Sequence, residues 1–356
     1  MSPFPLDRRS FLRQVSAAAA VPAATGLLAL DLPAPAMAGD DLPDYSPVPP
    51  GAFGPQVNQS GYFTGRIGGN LYWVTDGFYQ AMFLTTTDGV VLVDAPPTIG
   101  RNLLRAIADV TQQRRLPSRV THLIYSHSHA DHIGASAVFD RRVTRIAHAQ
   151  TKRLLKATRD PQRPLPDVTF EDTYELRVGE EHLRLSYHGP NHSPDNIFIH
   201  VPSAATLMVV DVVFPGWAPF KDLAETQDIP GWMAAHDVVL DLPWRTLVGG
   251  HVGRLGTRDD VVQQRAYVHD LADSVRSTIG SLDPTPFFTK YGPTGNAWAI
   301  FKSYLDTAAE LAATPVVAKY TGKLAAVDVF TTSNASALVN SSRIDAGVLG
   351  PFGIHP

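Results

Sequence analysis

Three imidazoles and one carboxylate fall within six residues of this chain, between His127 and His132. The segment reads His-Ser-His-Ala-Asp-His and directly follows an apolar run at 120–125. Neutral imidazole and carboxylate are the usual ligands of zinc and similar first-row metals. The pattern therefore predicts a buried strand that opens into a metal-binding loop.

Four further residues of ligand type follow other predicted strands. Asp94 ends an apolar strand at 90–93, and Asp211 ends another at 207–210. His192 lies in a turn-rich loop, and His251 follows two glycines after a predicted strand. Because functional sites in α/β sheets gather in loops at strand ends, these positions favour one shared site.

The composition limits the chemistry. The 356 residues include no cysteine, which excludes disulfides, thiolate zinc sites and cysteine nucleophiles, so a metal must be held by His, Asp or Glu. The formal net charge is −4, and no basic cluster with interleaved aromatic residues occurs. Nucleic acid is therefore not expected as a partner, and we expect a small-molecule substrate.

The order of these motifs resembles the metallo-β-lactamase superfamily. The His-x-His-x-Asp-His segment is followed by a lone histidine, an aspartate after a strand, and a Gly-His pair, with spacings that fit. The resemblance covers about residues 58–255. It implies an α/β fold, an αββα sandwich with two metal ions at one edge, here extended by C-terminal helices.

The resemblance also implies a role for each ligand position. The first ion would be held by His127, His129 and His192, the second by Asp131, His132 and His251, and Asp211 would bridge them. Asp94 would orient the ligand loop through hydrogen bonds. Two Zn²⁺ ions are expected, with iron or manganese as alternatives.

Such a pair of ions supports hydrolysis. Two cations about 3.5–4 Å apart lower the pKa of a bridging water enough to supply hydroxide near neutral pH. Asp131 is the predicted catalytic residue, because a carboxylate beside a metal can orient the hydroxide and pass a proton to the leaving group.

Asp211 and the absence of cysteine indicate a branch of the superfamily. A chain with both His132 and Asp211 resembles glyoxalase II, the lactonases and the phosphotriester hydrolases more than the true β-lactamases. We therefore expect hydrolysis of an ester, lactone or related acyl substrate. The alternatives are a β-lactam or phosphoester hydrolase of the same fold, a mononuclear iron oxidoreductase similar to the persulfide dioxygenases, and a non-enzymatic binding protein.

Aromatic residues near the expected mouth of the site suggest an apolar or aromatic acyl group, although ordinary loop packing is the alternative. They are Trp73, Phe78, Tyr79, Phe214, Trp217 and Phe220. Tyr125 and Lys221 are weaker candidates for contacts to a developing oxyanion. His188 is a candidate for a supporting or substrate contact.

The N-terminus reads as an export signal. Arg8 and Arg9 precede an Ala-rich apolar run and the small-x-small sequence at 36–38, which resembles a twin-arginine signal peptide over residues 1–38. An ordinary secretory signal or a membrane anchor is the alternative reading. We expect a periplasmic or otherwise exported protein without a stable membrane anchor after cleavage.

The remaining chain divides into three predicted segments. Residues 39–57 form an irregular arm, 58–256 the sandwich domain, and 257–356 a helical extension packed on that domain. Helices are predicted at 259–279 and 297–313, the second with a core stripe made of Trp298, Phe301, Leu305 and Ala308. The segment 328–332 is apolar enough to be buried, and the oligomeric state stays open, with a dimer as one option.

Overall fold

Short runs of β-branched and apolar residues, separated by turn residues, form the strands of this protein. The computed structural model describes residues 42–352, so the predicted signal peptide lies outside the described residues. The chain divides into two units, residues 1–44 and 45–356, and all the features described below belong to the second.

The first sheet has seven strands in the order β1 to β7. They are Phe63–Gly68, Leu71–Thr75, Gln80–Thr86, Gly89–Val93, Val120–Ile124, Thr144–His148 and Val168–Phe170. The first four are antiparallel neighbours and the last four pair in parallel. Thr75 pairs with Gln80 across the hairpin turn that contains Asp76 and Gly77.

The second sheet has five strands in the order β12-β11-β10-β9-β8. They are Thr173–Val178 (β8), Glu181–Ser186 (β9), Phe198–Val201 (β10), Thr206–Val209 (β11) and Thr246–Val248 (β12). The strands from β8 to β10 each pair antiparallel with the next strand in sequence, and β12 pairs with β11 in parallel.

The helices cover the outer faces of the two sheets. They are Asn102–Arg114 (α1), Ala130–Ile133 (α2), Ala149–Thr158 (α3), Ile229–Asp241 (α4), Arg258–Ser281 (α5), Thr285–Tyr291 (α6), Ala297–Tyr320 (α7) and Val327–Ile344 (α8). The start of α5 is set by a capping box between Thr257 and Asp260. No described helix has the length and apolar character needed to cross a bilayer.

The alternation of side chains along the strands produces three apolar layers. In β11, Leu207 and Val209 face the helices α4, α5, α7 and α8, whereas Met208 packs between the two sheets. The outer face of the first sheet packs on α1 through Leu103 and Ile107. This arrangement is the predicted αββα sandwich with C-terminal helices, and the fold prediction is confirmed.

Several element boundaries differ from the predictions. The strand predicted over 207–210 ends at Val209, and Asp211 takes a left-handed conformation with φ 61° that a strand cannot accommodate. The apolar residues at 135–139 suggest a helix by their spacing, but the segment forms only a 3₁₀ turn at Ser136–Val138. The second C-terminal helix was predicted to end at residue 313 but continues through Pro315, since Val316 and Tyr320 are buried in the core.

The predicted core stripe of that helix is also wrong in part. Trp298 is 81% exposed. The buried face instead runs through Ile300, Tyr304 and Ala308, at intervals of four residues. Ala308 is the only member of the predicted stripe that is fully buried, and Leu305 packs partly buried against the core.

Candidate metal centre

The loop after β5 is held in place by hydrogen bonds to its neighbours. The backbone N–H of Ser126 donates to Asp94 Oδ1 at 2.8 Å, and the Ser126 hydroxyl lies 2.9 Å from His127 Nδ1. This contact leaves His127 Nε2 to face the centre. Asp94 is fully buried and orients the loop, as predicted.

The short helix α2 places two more side chains beside His127. His129 caps its start, and Asp131 and His132 lie in its single turn. The backbone N–H of Ala95 donates to the His132 carbonyl at 2.8 Å, which ties α2 to the end of β4. A six-residue segment thus directs four ligand-type side chains toward one point.

A buried network of hydrogen bonds joins the loop that carries His192 to the residue before Asp211, just after the end of β11. Asn196 donates through Nδ2 to the Val210 carbonyl at 2.8 Å and to Asn191 Oδ1 at 2.9 Å. Asn191 Oδ1 also accepts from the backbone N–H of His192 at 2.7 Å. The side-chain amides of Asn191 and Asn196 therefore fix the position of His192 relative to Asp211.

Asp211 and His251 are positioned by close backbone approaches. The indole N–H of Trp232 on α4 donates to the Asp211 carbonyl at 2.8 Å. Gly250 has φ 88° and its carbonyl accepts from the Gln80 N–H at 2.8 Å, which directs the next residue, His251, toward Tyr79. A side chain at Gly250 would collide with Val210.

All seven predicted ligand positions converge. The ligand atoms fall into two groups, each within 4.8 Å: His127, His129, His192 and Asp211 in one, and Asp131, His132 and His251 in the other. Asp211 Oδ2 lies 3.2 Å from His192 Nε2 and 3.1 Å from His132 Nε2, so its carboxylate touches both groups. Whether these residues ligate metal stays a prediction.

The donor set fits metal ions. His132 Nε2 lies 3.0 Å from His251 Nε2, and His192 Nε2 lies 3.0 Å from His129 Nδ1. Two imidazole lone pairs face each other stably only with a proton or cation between them, and two ligands of one tetrahedral zinc lie about 3.3 Å apart. His127 Nε2 is buried without a hydrogen-bond partner, and Asp211 Oδ1 lies 3.0 Å from His251 Nε2.

The electrostatics of the centre favour a cation. Burial lowers the pKa of His127 well below its ordinary value, and the neighbouring His129 and His132 lower it further. Burial would raise the pKa of Asp211, but His132, His192 and His251 outweigh it and hold that pKa well below its usual range. A neutral imidazole and an ionised carboxylate are the forms that bind metal.

A cavity of about 590 Å³ opens over both groups and is lined mainly by apolar and aromatic side chains. Five of the six predicted mouth aromatics line it: Phe78, Tyr79, Phe214, Trp217 and Phe220. Trp73 does not, because the pleat of β2 turns it into the layer between the sheets, where its ring packs on Phe63.

The three residues predicted as further polar contacts do not line the cavity. Tyr125 is fully buried, and its hydroxyl donates to the Pro164 carbonyl at 2.9 Å. Lys221 and His188 do not line the cavity; the Lys221 ammonium lies 3.9 Å from Asp222, and the His188 ring packs on Phe198.

Sequence reasoning missed four lining residues that lie outside the ligand loops and the segment 214–220. Ala326 and Phe330 come from the C-terminal region, and Ala224 and Glu225 come from the turn after Phe220. The segment 328–332 was recognised as apolar enough to be buried, but its sequence carries no signal for the side of the molecule on which it packs.

Comparison with known proteins supports the resemblance. A family model described as the metallo-beta-lactamase superfamily matches residues 74–251, half of the chain. The chain is 28% identical over 201 residues to 2,4-dinitroanisole O-demethylase subunit alpha from Nocardioides sp. (strain JS1661), covering 55% of this chain and 59% of that protein. It is 30% identical over 124 residues to metallo-beta-lactamase type 2 from Bacillus sp. (strain 170), covering 35% and 46%.

The chain thus spans about half to three-fifths of the length of these relatives. A solved structure, the metallo-beta-lactamase from Pontibacter korlensis, aligns with a TM-score of 0.49 at 20% identity over 58% of this chain and 97% of that one. Since the family match spans half of the chain and contains all seven converging positions, this protein belongs to the metallo-β-lactamase superfamily.

Proposed function

We propose that this protein is a dinuclear metal hydrolase, with zinc as the expected metal, that acts on an ester, lactone or related acyl substrate. The observation that carries the proposal is the convergence of five imidazoles and two carboxylates beside an apolar cavity. The superfamily consists largely of metal-dependent hydrolases, which supports the same reaction class.

The chain's own residues supply positioning and proton transfer. When bound, the two ions would supply hydroxide near neutral pH by lowering the pKa of a water molecule. Asp211 contacts histidines of both ligand groups and would therefore fix the distance between the two groups. Asp131 lines the cavity with its side chain 42% exposed, so its carboxylate can reach a bound substrate and would carry a proton to the leaving group.

A second candidate reaction is the hydrolysis of an aryl ether to a phenol and an alcohol. The Nocardioides relative is named for the O-demethylation of 2,4-dinitroanisole, which is an aryl methyl ether. The aromatic lining of the cavity favours this candidate. The reaction consumes one water molecule, as ester hydrolysis does.

Metal analysis combined with a substrate panel tests the proposal. We expect two zinc ions per chain by mass spectrometry of the metal content, and turnover of esters, lactones or aryl ethers. One iron per chain with oxidation of a persulfide would overturn the proposal, and a β-lactam or charged phosphoester as the best substrate would overturn its substrate class.

Two variants test the assigned roles. Asp211→Ala should bind fewer than two metal ions, and Asp131→Ala should lower kcat by roughly 100-fold or more. Asp273→Ala, at an exposed carboxylate on α5, is the matched control and should behave as the parent protein. Near-parental kcat with two bound ions in either site variant would show that its assigned role is wrong.

A further inference from the structure

One wall of the cavity comes from the C-terminal helices, beyond the segment that matches the family. Phe330 on α8 packs its ring on Phe220, with the ring centroids 5.0 Å apart and the planes at 61°. Phe220 is 50% exposed, so the pair presents an aromatic surface to the cavity and to solvent. Aromatic rings favour such edge-to-face arrangements, and a substrate ring could pack on the exposed part of the pair in the same way.

The wall is tied to the loop that follows Asp211. The backbone N–H of Ala218 donates to the Ala325 carbonyl, and the Ala325 N–H donates to the Gly216 carbonyl, both at 2.9 Å. Asn334 is fully buried and joins α8 to the same loop by accepting from the Leu223 N–H at 2.7 Å. Phe330 is therefore held at a defined place relative to the metal centre.

Outside the ligand set, the charged side chains that line the cavity are acidic. Its carboxylates are Asp131, Asp211 and Glu225, and no lysine or arginine lies among the described residues that line it. Asp131 and Asp211 belong to the ligand set, so Glu225 is the carboxylate left at the rim. An anionic substituent away from the reacting bond would lose hydration without gaining a cationic partner.

Resting on the function proposed above, we propose that the substrate is uncharged and aromatic, with its ring packed against the Phe220–Phe330 pair and anionic analogues disfavoured by Glu225. The ring provides apolar area for burial, and the reacting bond lies toward Asp131. The C-terminal helix α8 thereby contributes a specificity-determining residue to the site.

Three acetate esters test the ring and charge preferences by kcat/KM: phenyl acetate, 4-acetoxybenzoate with an added carboxylate, and ethyl acetate without a ring. We expect phenyl acetate to exceed 4-acetoxybenzoate by about tenfold or more. Phe330→Ala should lower the value for phenyl acetate about tenfold more than that for ethyl acetate. Glu225→Gln should raise the 4-acetoxybenzoate value relative to that for phenyl acetate.

Trp298→Ala is the matched aromatic control, since Trp298 is exposed and lines a different groove. It should leave all three values as in the parent protein. Equal values for the charged and uncharged aryl esters, or an equal effect of Phe330→Ala on aryl and alkyl esters, would overturn the inference.

Binding separates failure of this inference from failure of the proposed function. Benzyl methyl ketone has the shape of phenyl acetate but no bond to hydrolyse, and 4-(2-oxopropyl)benzoate is its anionic counterpart. Calorimetry with the metal-loaded protein should give a Kd about tenfold lower for the uncharged ketone, and Phe330→Ala should remove most of its affinity. This binding preference without turnover of any ester, lactone or aryl ether would overturn the proposed function alone, whereas equal or absent binding would overturn the inference.

Discussion

His236 is a buried histidine whose hydrogen bonds support the loop that carries Asp211. Its Nε2 accepts from Gln264 Nε2 at 2.8 Å, which leaves Nδ1 to donate to the Trp232 carbonyl at 3.1 Å. Gln264 also donates to the Val212 carbonyl and accepts from the Phe214 N–H. The chain of contacts requires a neutral His236.

The first prediction is a pH dependence of stability. Burial, helped by the nearby His269, lowers the pKa of His236 to about 4, although the backbone carbonyls of Trp232 and Met233 and the carboxylate of Asp237 oppose the shift. In the unfolded chain the His236 imidazole binds a proton near pH 6.5, whereas in the folded chain it binds one only near pH 4. His236 should therefore destabilise the fold progressively as the pH falls through this window, by about 3 kcal/mol in total.

Urea unfolding of the parent and of His236→Gln between pH 4 and pH 6.5 measures this effect. The parent should lose more stability across the window than the variant, because glutamine retains polar contacts but does not titrate. Parallel curves for the two proteins would contradict the assignment.

At the scale of elements, the turn Lys221–Glu225 is the most strained part of the site. Four consecutive residues, from Asp222 to Glu225, have positive φ values between 52° and 63°. This conformation costs roughly 1–2 kcal/mol for each residue other than glycine. Such strain persists only where surrounding contacts impose it, and Asn334 and Ser333 of α8 accept from the turn's N–H groups.

The second prediction concerns Asn334. Asn334→Ala leaves the buried Leu223 N–H and Pro219 carbonyl without their partner. The free energy of unfolding should fall by about 2–3 kcal/mol. Asn340→Ala, at an exposed position of the same helix, is the control and should change stability by less than about 0.5 kcal/mol. Denaturant titration that gives the same stability for both variants would rule out this role for Asn334.

For the whole molecule, the C-terminal helices and the second sheet share one hydrophobic core. Leu207 of β11, Trp232 of α4, Tyr267 of α5 and Leu338 of α8 belong to the same buried cluster. The helices therefore stabilise the sheet that carries Asp211 as well as lining the cavity.

The third prediction tests this shared core. Leu338→Ala should lower the free energy of unfolding by about 2–5 kcal/mol, because it leaves a cavity in the cluster. Ile344→Ala, on the same helix at a 79% exposed side chain, should cost less than about 0.5 kcal/mol. If thermal unfolding detected two separate transitions, with only one shifted by Leu338→Ala, the helices would not share a cooperative core with the sandwich.

Much of the candidate site could be predicted from the sequence because its parts are local. The His-x-His-x-Asp-His segment spans six residues, and the other positions follow strands whose apolar runs are visible in the sequence. The order of strands and helices predicted the sandwich for the same reason. The exact strand ends were less predictable, since the left-handed φ values of Asp94 and Asp211 depend on contacts with distant segments.

The sequence by itself determined which residues could act as ligands and that they would gather at the strand ends. Only the tertiary structure decided which aromatic side chains face them. Trp73 and Tyr125 lie close to the site in sequence but turn into the core, whereas Phe330 lies far along the chain and lines the cavity. The physical reason is that apolar patterning reports whether a side chain is buried, while its neighbours are chosen by packing between segments more than a hundred residues apart.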